Sequence, residues 1–250
     1  MKCVFLGIGS AFDAGQTNVS ILVECGGNRI LLDCGFNAGH ACMNMVPDAH
    51  DIDALWISHF HGDHFFGLPF LLGSFFNAGR EKTFHICGPE GIEDKVTQTV
   101  NLAYPSLLGK IGFGVVFHEF KPGDVKFVSG FGVSTCAIDH SGSAQAIRLE
   151  CAGKVLFYTG DGALNDDCTQ LAKNAQLGIL EAYSLDGPVK KGHSSIMASV
   201  NFAISARIDT VCLVHLENFV RTCRVKNVLK QFSLSDSTVI IPEQGQVFEI

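Results

Sequence analysis

Residues 58–64 read Ser-His-Phe-His-Gly-Asp-His, which sets His59, His61, Asp63 and His64 within six residues of one another. Imidazole nitrogen and carboxylate oxygen are the donors that divalent zinc, iron and manganese accept, and a turn lets residues i, i+2, i+4 and i+5 converge. One ion could not use all four and keep an open position, so the spacing points to two adjacent ions. The stretch ahead of the run, Ile52 to Ile57, is apolar and β-prone. The donors therefore sit where a buried strand ends, which is where α/β proteins gather their chemistry.

Further donors follow downstream, each closing an apolar stretch: Ala137-Ile138-Asp139-His140, Phe157-Tyr158-Thr159-Gly160-Asp161, and Val211 to His215. Singly, each reads as a hydrogen-bonded histidine or a turn. Taken with residues 58–64, they resemble the metallo-β-lactamase superfamily, whose signature is H-x-H-x-D-H. Ile30-Leu31-Leu32-Asp33-Cys34-Gly35 resembles that superfamily's strand-end Asp, a residue that orients ligands through hydrogen bonds. The resemblance implies an α/β fold, the αββα four-layer sandwich. It also implies that His59, His61 and His140 hold one metal ion, Asp63, His64 and His215 a second, and Asp161 stands between them. Asp63 counts among the catalytic residues as well. The cofactors would be two divalent ions, zinc first with manganese or iron as alternatives, holding a hydroxide between them as the nucleophile.

Three more segments resemble the ribonuclease Z-like branch of the superfamily. They are His85-Ile86-Cys87-Gly88-Pro89-Glu90-Gly91-Ile92, Leu180-Glu181-Ala182 and Gly192-His193-Ser194-Ser195. In that branch a Glu and a His form a dyad beside the metals, and the matching residues here are Glu181 and His193. A phosphodiester leaves as an alkoxide unless something protonates it, and a His held by a carboxylate can be that acid.

The chain departs from ribonuclease Z in the interval between His140 and Asp161, where that enzyme carries a long arm for transfer RNA. Here the two residues are 21 positions apart and the interval reads as a β-hairpin. The 18 basic residues are outnumbered by 25 acidic ones, and the basic groups Lys190-Lys191 and Arg221/Arg224/Lys226 are short. A polynucleotide partner ordinarily needs a basic face, so none is expected. The expected substrate is a small phosphodiester, of the cyclic nucleotide or phosphorylated sugar type; Lys190 and Lys191, just ahead of the matching His193, could meet its phosphate, but an ordinary solvated loop is the favoured reading of that pair. A thioester or lactone hydrolase of the same fold, and a ribonuclease Z-like enzyme that processes RNA 3′ ends, are the alternatives.

Donors spread from residue 59 to residue 215 must meet in one place, so residues 1–250 read as a single domain. Apolar residues are 47% of the chain and charged ones 17%, enough for a sizeable core. No apolar run reaches membrane-spanning length and no leader precedes the first strand, so a cytoplasmic protein without membrane contact is expected. The ten Cys form no Cys-x-x-Cys pair, which suits reduced, buried thiols.

Periodicity places strands at 2–7, 19–25, 29–33, 52–57, 113–120, 125–128, 132–138, 145–150, 154–158, 177–181, 210–214 and 238–248. Helices are expected at 68–76, from Gly91 to about Leu102, and at 167–174, 194–206 and 222–231. Most of the rings of Phe65, Phe66, Phe70, Phe75 and Phe76 are expected in the core, and exposed ones would mark a subunit interface of a homodimer or a pocket rim. His40, His50, His85 and His118 have no partner at ligand spacing and receive no role.

Overall fold

The computed structural model describes residues 1–140, 142–186, 192–223 and 237–250. Two mixed seven-stranded sheets lie face to face. The first contains β1 (Lys2–Gly7), β2 (Ser20–Cys25), β3 (Asn28–Leu32), β4 (Ala54–Trp56), β5 (Phe84–Pro89), β6 (Val115–Phe120) and, beyond β1, the last strand β14 (Val247–Glu249). The second runs β7 (Val125–Val128), β8 (Phe131–Ala137), β9 (Gln145–Cys151), β10 (Lys154–Tyr158), β11 (Leu177–Glu181), β12 (Thr210–Val214) and β13 (Thr238–Ile240) in spatial order. Helices α1 (Ala38–Met45), α2 (Gly62–Phe65), α3 (Leu68–Asn77) and α4 (Ile92–Ala103) follow strands of the first sheet. Helices α5 (Asp166–Ala172), α6 (Ile196–Ala206) and α7 (Asn218–Cys223) follow strands of the second.

Alternation along single strands builds the layers, because successive strand side chains point to opposite faces. In β1, Cys3 and Phe5 enter the core between the sheets while Leu6 packs toward α1 and α3. In β12, Cys212 and Val214 face the other sheet and Val211 and Leu213 face α5 and α6. The result is the four-layer sandwich of the metallo-β-lactamase fold. Parallel pairing of β3, β4 and β5, and of β10, β11 and β12, aligns the carboxyl ends of the central strands of each sheet. Loops that leave those ends can meet across the sandwich. Among the described residues no helix is long and apolar enough to cross a membrane.

Three expectations are corrected. The single strand over 238–248 is two strands in different sheets, β13 parallel to β12 and β14 antiparallel to β1. A turn between them, with Gln246 N–H donating to Glu243 O and Gly245 at φ 85°, carries the chain across. Of the five phenylalanines after the metal-type run, only Phe65 and Phe75 are buried; Phe66, Phe70 and Phe76 are 51%, 43% and 41% exposed. Helical periodicity is the reason, since Leu68, Leu71, Leu72 and Phe75 form the inward stripe of α3 and leave Phe70 and Phe76 outside it. The helix expected over 222–231 begins earlier, as α7, and the remainder lies outside the described residues, as do Lys190, Lys191, Arg224 and Lys226.

Candidate metal centre

The centre is built from loops that leave β3, β4, β8, β10, β11 and β12, and its geometry starts at Asp33. This buried residue ends β3 in the left-handed region, at φ 58°, and its carboxylate gathers four donors. Ser58 N–H donates to Oδ1 at 2.7 Å, while Ser58 Oγ, His64 Nδ1 and Tyr158 Oη bond Oδ2 at 2.7, 2.7 and 2.5 Å. One carboxylate thereby fixes the start of the loop after β4, a histidine on α2 and a tyrosine from the opposite sheet. Close backbone approach fixes the rest of that loop. A Cβ on Gly35 would lie 1.9 Å from the carbonyl oxygen of Asp63, and one on Gly160 would lie 2.5 Å from Ser58 Cβ, so only glycine fits either place.

Two clusters of donors result. In the first, His59, His61 and His140 converge, with their donor atoms within 4.8 Å of one another. His140 Nδ1–H donates to Gly192 O at 2.5 Å, which turns Nε2 inward to 3.1 Å from His61 Nδ1. His59 Nδ1 lies 3.1 Å from Ser58 Oγ, and its buried Nε2 has no hydrogen-bond partner. Burial, reinforced by the neighbouring imidazoles, holds both His59 and His61 below the usual histidine range. These rings offer neutral lone pairs, the form a metal requires.

In the second cluster, Asp63, His64, Asp161 and His215 are all buried. His64 Nε2 stands 3.3 Å from Asp63 Oδ2 and 3.2 Å from Asp161 Oδ1, and His215 Nε2 stands 3.2 Å from an oxygen of each carboxylate. Burial acts to lower His64 and His215, but the surrounding carboxylates outweigh it. They raise His64 well above its ordinary value and lift His215 to about 10. Burial likewise acts to raise Asp63 and Asp161, and the same histidines hold both carboxyls well below the usual range. Buried carboxylates thus take their counter-charge from protons on His64 and His215, a place a divalent cation would fill.

Asp161 groups with the carboxylate cluster, and its charge also reaches His59. Glu181, at the end of β11, stands behind both His193 and His215. Its Oε2 accepts from Gly162 N–H at 2.7 Å and from Ser194 N–H at 3.2 Å, while Oε1 accepts from His193 Nδ1 and lies 3.5 Å from His215 Nδ1. His61, Asp63, Asp161, His193 and His215 line one cavity of about 330 Å³ together with Ser10, Phe12, Tyr183, Glu217 and Asn218.

All nine residues singled out from the sequence therefore meet in one region. Sequence reasoning missed Ser58, Tyr158, Phe12 and Tyr183. Tyr158 precedes Asp161 in the same apolar stretch, but nothing local shows that its hydroxyl crosses to Asp33. Of the histidines given no role, His85 and His118 pair with each other at 2.9 Å, on neighbouring strands β5 and β6, outside the centre.

Comparison with known proteins agrees with this architecture. A family model described as Anti-Pycsar protein Apyc1 matches residues 1–232. A ribonuclease Z of Methanocaldococcus jannaschii is 37% identical over 271 aligned positions, covering 86% of this chain and 86% of the relative. That alignment is longer than the 250 residues of this chain, so the relative carries residues with no counterpart here. Among solved structures, the metallo-β-lactamase fold protein YhfI from Bacillus subtilis superposes with a TM-score of 0.82 at 24% identity, over 99% of this chain and 98% of that one. Human tRNase Z, short form, also gives 0.82 at 24% identity, over 100% and 99% of the two chains. With the shared sandwich and the donors of both clusters in place, the chain belongs to the Anti-Pycsar protein Apyc1 family, within the ribonuclease Z-like branch of the metallo-β-lactamase superfamily.

Proposed function

We propose that this protein is a hydrolase that uses two divalent metal ions to cleave a small phosphodiester, of the cyclic nucleotide or phosphorylated sugar type. In this reading residues 1–250 form one domain, because donors from both sheets complete a single centre. His59, His61 and His140 hold one ion, Asp63, His64 and His215 the other, and Asp161 contributes to both. The ions, zinc first and manganese or iron otherwise, would supply an activated water and neutralise charge on the phosphoryl oxygens. The orphaned Nε2 of buried His59 and the two histidines whose protons balance Asp63 and Asp161 are what this donor set should show if it is made for cations.

The Glu181–His193 pair carries the phosphodiester assignment. Glu181 is locked by two backbone N–H groups and holds His193 through Nδ1, which leaves Nε2 for the cavity. From there His193 can hand a proton to the departing alkoxide oxygen. A thioester hydrolase, whose thiolate departs without a proton, would have little use for that acid. For a diester with an alkyl leaving group, His193→Ala should lower kcat by roughly 10²–10⁴-fold, the range typical of a general acid, with metal content unchanged. With p-nitrophenolate, which departs without a proton, the loss should be much smaller. Equal losses on both substrates, or loss of an ion, would remove the phosphodiesterase assignment.

RNA is the second reading, because relatives named ribonuclease Z and tRNase Z share this fold, and the expectation of no nucleic-acid partner loses its support there. Against it stand the net charge of −7 and the interval between His140 and Asp161, which is filled by the β9–β10 hairpin. Site-specific cleavage of a precursor transfer RNA at physiological salt, with kcat/KM above that for small diesters, would reverse the order of the two readings.

A further inference from the structure

Cys136, next to last in β8, and Cys168, in the first turn of α5, bring their sulfurs to 3.6 Å, with the first thiol donating to the second. Thiols pack well in a core, so contact alone asks for no function. Two further observations single this pair out. Cys136 reaches the wall of a surface cavity of about 450 Å³, between Pro122, Gly123 and Thr135 on one side and Asp167 and Gln170 of α5 on the other, so a small reagent has a way in. The hydrogen bond from Cys136 holds the Cys168 thiol below its ordinary range and pushes Cys136 up in turn, so the pair loses its first proton more readily than an isolated buried thiol. Burial pushes Cys3, Cys34, Cys42, Cys87 and Cys212 up. Thiolate is the reactive form, so those five are inert where this pair is not.

The pair is also laced to the donor clusters through backbone. Asn165, the N-cap of α5, accepts from Cys168 N–H at 2.9 Å and donates through Nδ2 to Ala137 O at 3.0 Å. Two residues on, Asp139 N–H donates to Ala163 O at 3.3 Å and Ala163 N–H to Asp139 O at 2.8 Å. These bonds tie the segment that ends in His140 to the one that begins at Asp161. A disulfide needs the sulfurs to close from 3.6 Å to about 2.05 Å. Both side chains belong to the core between the second sheet and its helices, where close-packed neighbours limit a change of rotamer. Part of the approach therefore falls on the backbone at the end of β8 and the start of α5.

We propose that Cys136 and Cys168 form a redox site, which a peroxide converts reversibly to a disulfide, and that closure displaces His140 and so weakens the imidazole cluster's hold on a cation. One sulfur, as thiolate, attacks an oxygen of hydrogen peroxide; the O–O bond breaks, a sulfenic acid forms, and the departing hydroxide takes up the proton that the thiol released. The second thiol attacks the sulfenic sulfur, the S–S bond forms, and its proton leaves with the hydroxyl as water. Two thiols and one peroxide thus give one disulfide and two waters. The device acts whatever diester or other ester the centre hydrolyses. Its effect on the cation rests on the two-metal reading; the disulfide itself does not.

The test treats the zinc-reconstituted full chain with hydrogen peroxide, alkylates the remaining thiols and maps peptides by mass spectrometry, on wild type, Cys136→Ala and Cys168→Ala. The expected product is a cross-linked peptide that joins Cys136 to Cys168, forms before any other cysteine reacts and is lost on treatment with tris(2-carboxyethyl)phosphine. Absence of that peptide, or a first cross-link between Cys25 and Cys151, which also touch, would overturn the redox site. In the oxidised wild type, the zinc affinity of the more weakly held site should fall about 10- to 100-fold, the range for losing a group that orients a ligand, and recover on reduction. Peroxide-treated Cys136→Ala and Cys168→Ala should keep their zinc. Oxidised wild type that holds zinc as tightly as the reduced protein would overturn the link to His140. If either variant fails to fold, the peptide map and the zinc affinity of the wild type, before and after reduction, decide both points. A wild type that binds no zinc would sink the two-metal reading separately, and the peptide map would still decide the disulfide.

Discussion

The two donor clusters differ in charge and in burial. His59, His61 and His140 supply no negative charge, and His61 is exposed with His140 half-buried beside it. Asp63, His64, Asp161 and His215 supply two carboxylates, and all four are buried. A divalent ion gains far more from anionic donors in a dry, low-dielectric site than from neutral rings near solvent. The carboxylate cluster also has the deeper support, because Asp33 fixes His64 and Glu181 stands behind His215. The imidazole cluster relies on the Gly192 carbonyl and the Ser58 hydroxyl. We therefore expect unequal sites: the carboxylate cluster should fill first and empty last, while the imidazole cluster exchanges its ion more readily.

Asp161→Ala offers the strongest way to break this comparison. It removes a carboxylate that both buried histidines face, so hydrolysis should fall at least about 10⁴-fold and metal content should drop in both clusters, with rates and metal analysis read on the same preparation. Loss of only the more weakly held ion would show that Asp161 serves one cluster alone. A smaller effect is expected from His140→Ala, which should leave about one ion per chain, the one in the carboxylate cluster. Graded chelation of the wild type should show the same order, with activity lost on removal of the first ion. Simultaneous release of both ions would mean that the clusters are thermodynamically one site.

Glu181→Gln should cost about 10- to 100-fold in kcat, the range for residues that orient a ligand or a catalytic ring without touching the substrate. The amide keeps an acceptor for Gly162 and Ser194 but holds His193 and His215 less firmly. Because Glu181 lies 3.5 Å from His215, the variant should also bind the second ion more weakly, measurable by competition with a chromophoric chelator. The smallest change should come from Tyr158→Phe. It removes one of three donors to Asp33 Oδ2, so stability should fall by about 1–2 kcal/mol in denaturant titration and metal affinity by no more than about tenfold. An effect as large as that of Glu181→Gln would make the tyrosine, and not the glutamate, the principal support of the carboxylate cluster.

Much of the fold was legible because alternation and apolar runs are local properties. Strands such as Val125–Val128, Lys154–Tyr158 and Thr210–Val214 coincide with the expected ranges. The expected strands 19–25 and 29–33 pair as a hairpin, whose two-residue turn has φ of 59° and 80° at Gly26 and Gly27 and so favours glycine. Helix α1 was not legible: Ala38 to Met45 carries no side-chain cap and a weakly segregated apolar face, so its helicity comes from packing on α3 and β1. The split of the expected strand over 238–248 had a signal in Pro242 and Gly245, but nothing in residues 238–240 and 247–249 says that they join opposite sheets.

For the site, the amino-acid sequence by itself determined which donors exist and in what order, because His, Asp and Glu at strand ends are visible as letters and spacings. It also brought Glu181 and His193 forward through neighbouring residues. Only the tertiary structure decided how the donors divide into an all-imidazole cluster that reaches solvent at His61 and a wholly buried one that carries two carboxylates, and that Glu181 stands behind a member of the second cluster as well as behind His193. It also decided that Tyr158 reaches across the sandwich to Asp33, and that Phe12 stands in the open at the cavity mouth. The physical reason is that burial, charge compensation and exposure depend on which chain segments come to lie side by side. Tyr158 and Asp33 are 125 residues apart in sequence and 2.5 Å apart in space, a distance that no local pattern encodes.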